Sequence, residues 1–214
     1  MKINNSYELL EILKKQNLLK DDGLWWPNSG TFDVLIGAIL TQNTKWDRVE
    51  SSLNNLKNHN LNTLESIANC DIERLKFCIQ KCAFVNQKSL RLKTICMNII
   101  DEFGDFENFR DLVSREWLLK QRGIGDESAD CILNYACYRD VMVVDKYTQK
   151  LLAQMGFEFL EYEDMQKWIE NGIIENYEKI KNLYGYEIEI YKVYARLHGK
   201  IVEFSKMKIP LSFI

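Results

Sequence analysis

The stretch Trp117-Leu-Leu-Lys-Gln-Arg-Gly-Ile-Gly-Asp-Glu-Ser-Ala-Asp-Cys-Ile-Leu-Asn-Tyr-Ala-Cys-Tyr-Arg-Asp-Val-Met-Val-Val-Asp-Lys146 decides the fold. A short apolar helix runs to Gln121-Arg122, Gly123-Ile124-Gly125 makes a tight turn, and a second helix begins at once with Asp126 and Glu127 in its first turn, where carboxylates suit the helix dipole. Ala129, Ile132, Leu133 and Ala136 give that second helix one apolar face. Two glycines one residue apart leave the main chain unobstructed before a helix N-terminus, so the N–H groups of Gly123, Ile124 and Gly125 are expected to converge on an anion such as a backbone phosphate. The plain alternative is a helix–turn–helix corner in which glycine only supplies positive φ.

The apolar run Val141 to Val144 follows, and then Asp145, twenty residues past Gly125. An acid emerging from a buried segment can face a substrate, and it can also N-cap a helix from Lys146 to Met155; the two roles are compatible.

Helix, Gly-Ile-Gly hairpin, helix, apolar run and aspartate at this spacing resemble the signature of the helix-hairpin-helix DNA glycosylase superfamily, with endonuclease III among its members. Leu40-Thr41-Gln42-Asn43-Thr44, Phe84-Val85-Asn86-Gln87-Lys88 and Leu197-His198-Gly199-Lys200 resemble three further segments of that family. The resemblance implies an all-α fold in two helical lobes. A six-helix lobe carrying the hairpin would cover residues 25–137, and the terminal segments 1–24 and 138–214 would form the other, with Asp145 at the cleft between them. Periodicity at Leu9, Ile12 and Leu13, at Phe32, Leu35, Ile36, Ile39 and Leu40, and at Ile190, Val193, Tyr194 and Leu197 independently reads as helix. The brief alternation from Glu187 to Tyr191 fits a strand or a helix.

With 214 residues and 46% hydrophobic content the chain can bury a substantial core. A net charge of −3 and a pI near 5.6 argue against a broad basic surface, so any DNA contact must be local. No stretch approaches the roughly 18 apolar residues of a membrane span, and the N-terminus carries no apolar signal region, so the expected location is the cytoplasm, at the nucleoid of a bacterium. The six cysteines, at 70, 78, 82, 96, 131 and 137, form no Cys-x-x-Cys pair and are expected to be reduced, buried thiols. Endonuclease III-like relatives follow the His-Gly-basic segment with four cysteines that hold an iron–sulfur cluster. Here no cysteine follows Cys137, so no cluster and no structural metal is expected.

The resemblance implies roles. Asp145 would deprotonate the attacking water or stabilise the sugar cation; Gln42 would fill the gap as the damaged nucleotide rotates out; Gly123, Ile124 and Gly125, with Lys146 nearby, would hold DNA, and a monovalent cation could sit at the hairpin when DNA is bound. Trp25, Trp26, Pro27 and Trp46 are candidates for the base pocket. Indole faces stack well on a base alkylated at a ring nitrogen, which carries positive charge and needs no general acid to leave. The alternatives are a lobe-junction staple for Trp25-Trp26 and a core position for Trp46, which shares a helical face with Val49, Leu53 and Leu56. Relatives that also cut the backbone have a lysine two residues past the hairpin glycine. Glu127 stands there, so no lyase activity is expected, and Glu127 either faces the pocket or lies exposed in the first helical turn. Lys200 follows an apolar face and is either partly buried, with a lowered pKa or a carbamate, or exposed like Lys206.

Taken together these residues most resemble the bacterial 3-methyladenine glycosylases of endonuclease III-like type. The implied activity is release of N-alkylated bases, chiefly 3-methyladenine, from double-stranded DNA by a monomer without cofactor. The alternatives are a glycosylase for mismatched or oxidised bases, disfavoured by Glu127 and the missing cluster, and a non-catalytic hairpin module that binds DNA. Residues beyond Pro210 form a terminus without caps and are expected to be loosely ordered.

Overall fold

The computed structural model describes residues 3–19 and 23–207, so the expectation about the chain beyond Pro210 lies outside the described residues. The fold is all-α, and no strand occurs among the described residues. The chain divides into two compact units, 28–137 and a second made of 1–27 with 138–214. The first boundary therefore falls after Pro27, not before Trp25, and it places Trp25, Trp26 and Pro27 with the terminal segments. The reason is local: Trp25 is anchored on the last helix of that unit, as described below.

The 28–137 unit is built on α2 (Phe32–Leu40), in which every residue except Asp33 is buried, as its near-continuous apolar sequence requires. Around it lie α3 (Trp46–Asn58), α4 (Leu64–Asn69), α5 (Ile72–Cys78), the long α6 (Val85–Phe103), α7 (Phe106–Leu112), α8 (Arg115–Leu119) and α9 (Asp126–Cys131). The six helices implied by the resemblance are thus eight among the described residues, several only one or two turns long. Many are started by side-chain caps, including Thr63, Asp71, Asp105 and Ser114, each accepting from a first-turn N–H. Past Cys131 the rod widens to a π-turn over Ile132–Ala136, closed by the Cys137 N–H on the Ile132 carbonyl. The Tyr135 carbonyl in that turn accepts the Gly30 N–H, tying the start of α2 to the end of the hairpin.

The other unit packs α1 (Ser6–Lys15), α10 (Lys146–Gln154), α11 (Tyr162–Ile174), α12 (Tyr177–Tyr184) and α13 (Ile190–Met207) around Leu9, Leu10, Leu13, Ile169, Ile173, Val193, Tyr194 and Leu197. The 187–191 alternation resolves as a loop leading into α13. The apolar run before Asp145 is extended and buried, so its backbone must be satisfied by side chains. α11 supplies them: the Met142 N–H donates to the Glu170 carboxylate (2.9 Å) and Gln166 donates to the Met142 carbonyl (2.6 Å). That clamp fixes where α10 begins.

Candidate functional site

Asp145 is the N-cap of α10. Its Oδ1 accepts two hydrogen bonds from Thr148, one from the N–H (2.8 Å) and one from the hydroxyl (2.9 Å). Its Oδ2 lies 3.5 Å from Nε2 of His198, the outer limit of a hydrogen bond, and the side chain is 13% exposed. Burial pushes the carboxyl pKa upward, but His198 and the two Thr148 donors outweigh it and hold the group below the ordinary carboxylate value. Asp145 is therefore an ionised carboxylate with one oxygen fully committed and the other beside an imidazole.

His198 is buried on α13, and its ring meets Trp25 edge-to-face at 5.2 Å between centroids. The Trp25 Nε1–H donates to Glu203 Oε1 (3.0 Å), and Lys206, which also pairs with Glu203 (2.9 Å), places its Nζ 5.5 Å over the indole. Asp145, His198 and Trp25 thus come together within one unit. Trp26 packs edge-to-face on Trp25 but is itself buried. The reasoning that two adjacent tryptophans resist joint burial therefore applies to Trp25, which is half-buried, while Trp26 serves as its support. Pro27 and Lys146 are exposed. Of the two alternatives left open for Lys200, the structure has it buried, while Lys206 is 46% exposed.

The hairpin, Gln42, Trp46 and Glu127 belong to the other unit. Gly123 has φ +86, a conformation that favours glycine, and a Cβ there would fall 2.2 Å from Arg91 Nε, so the Arg91 side chain would have to move. Gly125 is extended and is the N-cap of α9, and as a glycine it offers that turn no capping side chain. The Ile124 N–H is not among the available donors, because it closes the turn onto the Gln121 carbonyl (3.1 Å). Glu127 is exposed in the first turn, and Trp46 is half-buried at the start of α3.

Gln42 does not project freely. Its amide donates to the Gly123 carbonyl (2.9 Å) and to Ser128 Oγ (3.1 Å), and its Oε1 accepts from Arg91 (3.0 Å). The turn that carries it is gripped by Lys88, a buried ammonium whose three donors meet the carbonyls of Leu40 and Gln42 (both 2.7 Å) and Thr44 Oγ1 (2.8 Å). Burial lowers the Lys88 pKa. Gln42 thus joins the end of α2 to the hairpin in this structure, and entry into DNA requires those bonds to break. In the sequence Lys88 stood out only as the end of the Phe84–Lys88 segment that resembles the family; Arg91 and Ser128 carried no signal.

The six cysteines are buried and form no disulfide, and among the described residues no group of three or more His, Cys, Asp or Glu side chains could hold a metal. They do not form a ligand set for an iron–sulfur cluster. At the hairpin the carbonyls of Gln121 and Gly123 already accept hydrogen bonds.

Comparison with known proteins gives this geometry a family. The family model for HhH-GPD superfamily base excision DNA repair proteins matches residues 36–173, well over half of the chain. This chain belongs to the HhH-GPD superfamily. Among HhH-GPD relatives, a candidate DNA repair glycosylase of Methanocaldococcus jannaschii is 36% identical over 189 residues, covering 85% of this chain and 80% of that protein. The crystal structure of the H. pylori 3-methyladenine DNA glycosylase MagIII, bound to 1,N6-ethenoadenine, is 46% identical with a TM-score of 0.93 and covers 97% of this chain and 100% of that one. Endonuclease III trapped covalently on DNA shares the fold at 15% identity, with a TM-score of 0.69 over 98% of this chain and 92% of that one. No helix among the described residues is long and apolar enough to cross a membrane.

Proposed function

We propose that the protein is a monofunctional DNA glycosylase that excises N-alkylated bases, chiefly 3-methyladenine, from duplex DNA by hydrolysing the N-glycosidic bond. The observation that carries this reading is the pairing of an ionised Asp145 with Trp25 across His198, in a chain similar over nearly its whole length to a 3-methyladenine glycosylase.

The chemistry follows from the charge on the base. The C1′–N bond breaks with its electron pair leaving on the base, which quenches the positive charge of the alkylated ring; a general acid is not required. Positive charge develops on the sugar, and water adds to C1′ and loses a proton. A carboxylate held below its ordinary pKa is a weak base but an effective fixed negative charge, so Asp145 is read as the stabiliser of the sugar cation first and as acceptor of the water proton second. Trp25 suits a cationic base through the electron-rich face of its indole. Trp46 and Glu127 remain proposed pocket residues. The Gly125 N–H, at the start of α9, suits a backbone phosphate. The enzyme is proposed to act as a monomer in the cytoplasm.

Glu127 in the position of a nucleophilic lysine supports hydrolysis without strand cleavage. Methylated duplex DNA incubated with the protein should therefore stay intact until alkali is added and then break at the vacated sites, and borohydride should trap no covalent protein–DNA adduct. Breakage before alkali, or a trapped adduct, overturns the monofunctional reading.

A further inference from the structure

His198 is a buried titratable side chain to which the reaction above gives no task. Thr148 holds only one oxygen of Asp145, and a carboxylate pinned at one oxygen still rocks about its Cβ–Cγ bond; the imidazole at 3.5 Å stands against the second oxygen and limits that motion. On its other side the same imidazole meets Trp25. Trp25 lies this close to α13 because residue 199 is glycine: a Cβ there would fall 2.3 Å from Trp25 Cβ and 2.4 Å from its Cγ. Glu203, one turn further along α13, then fixes the indole by its Nε1–H. His198, Gly199 and Glu203 form a single seat for Trp25, and His198 is the part of it that also touches Asp145.

We infer that His198 is a positioning residue: it fixes the second oxygen of Asp145 and makes the aim of that carboxylate depend on how Trp25 is seated. The inference rests on the reading of Asp145 as the reacting carboxylate. A proton on Nε2, present in one neutral tautomer and in the imidazolium, lets the ring donate toward Oδ2. The charged and titratable groups around it are Asp145 from α10, Glu203 and Lys206 across the Trp25 ring, and Lys200 two residues along α13; α1 packs on α13 through the apolar cluster of Leu9, Leu10 and Leu13. The coupling means that a base pressing on Trp25 bears on the carboxylate through His198.

The test is the pH dependence of single-turnover base release from methylated duplex DNA by the full chain, comparing wild type, His198→Phe, His198→Gln and Asp145→Asn, with the folded fraction of each measured by thermal melting. His198→Phe should slow release on the order of tenfold, the scale on which partners that orient a functional side chain act. It should also move the acid limb of the profile to higher pH, because Asp145 loses a donor that stabilises its ionised form. His198→Gln keeps an N–H donor and should restore the limb and most of the rate. Should His198→Phe fail to fold, Trp25→Phe reads the same coupling: kcat should fall with it, and a rise in KM alone overturns the inference. A limb and rate unchanged in His198→Phe, while Asp145→Asn abolishes release, overturns the role of His198 and leaves that of Asp145 standing. Wild-type release by Asp145→Asn removes both.

Discussion

Asp145→Asn should reduce base release by roughly 10²- to 10⁴-fold, the range over which a fixed charge or a proton acceptor acts on a transition state, while keeping the helix cap and losing only the stability that the ionised carboxylate contributes. The two effects separate because Asp145 performs two tasks with two oxygens. As N-cap it accepts from the Thr148 N–H and hydroxyl through Oδ1, and asparagine caps helices as well as aspartate does. As a charge it cannot be replaced by a neutral amide. Asp145→Ala, by contrast, should lose both rate and about 1 kcal/mol of stability, the usual effect of removing a cap. The pH dependence has a definite sign. The folded-state pKa is depressed, so the carboxylate contributes stability that is present above the unfolded value near ~3.9 and is lost as the pH falls through the folded value. Activity should hold on the neutral side and fall through the same acid range. Kinetics of base release beside denaturant melts check both halves; an Asn variant with wild-type rate removes Asp145 from the reaction.

The second large effect is expected at the base of the hairpin. Arg115 on α8 reaches α9 with a two-pronged grip on Asp130, Nε to Oδ1 at 2.8 Å and a terminal nitrogen to Oδ2 at 3.3 Å, and the same nitrogen meets Asp126 at 2.7 Å. Asp130 is fully buried. Arg115→Met leaves that carboxylate in the interior without its cation and releases α8 from α9, so stability should fall by about 3–5 kcal/mol, as when one partner of a buried pair is removed. Arg115 itself is 30% exposed, which places the expected loss at the lower end of that range. Arg115→Lys should recover only part, since a single ammonium cannot reproduce the fork. Arg115→Met with Asp130→Leu should recover more, because no buried charge remains. Denaturant midpoints of the four proteins check this, and an Arg115→Met midpoint equal to wild type contradicts it.

What the sequence made legible was what short-range patterning encodes. Gly123 took a left-handed φ, and Asp145 followed an apolar run and preceded a helix; each has a local signature, whereas the apolar face before Lys200 left its burial open. The cap role of Asp145 was readable because aspartate, a following helix and Thr148 are neighbours in the chain. Its contact with His198 was not, because the two residues are 53 positions apart and periodicity does not give the order in which helices pack. The same limit hid the junction of Lys88, Arg91 and Gln42. A long side chain on a helix can reach several elements, and only the packing of α6 on α2 decides that Lys88 ends on the carbonyls of residues 40 and 42. Trp26 illustrates a different limit. Adjacent tryptophans in a loop were expected to share a stacking role, yet the loop folds back on α13 through Trp25, and that seating buries its neighbour.

The measurement that tests the central claim most directly is chromatographic detection of the free bases released by the wild-type protein from duplex DNA treated with a simple methylating agent. Release of 3-methyladenine, in proportion to the abasic sites left in the DNA, is the expected result. Binding to the methylated or abasic duplex without release of any base contradicts it, and would make the protein a DNA-binding module acting through its hairpin, with Asp145 only a helix cap in the other unit.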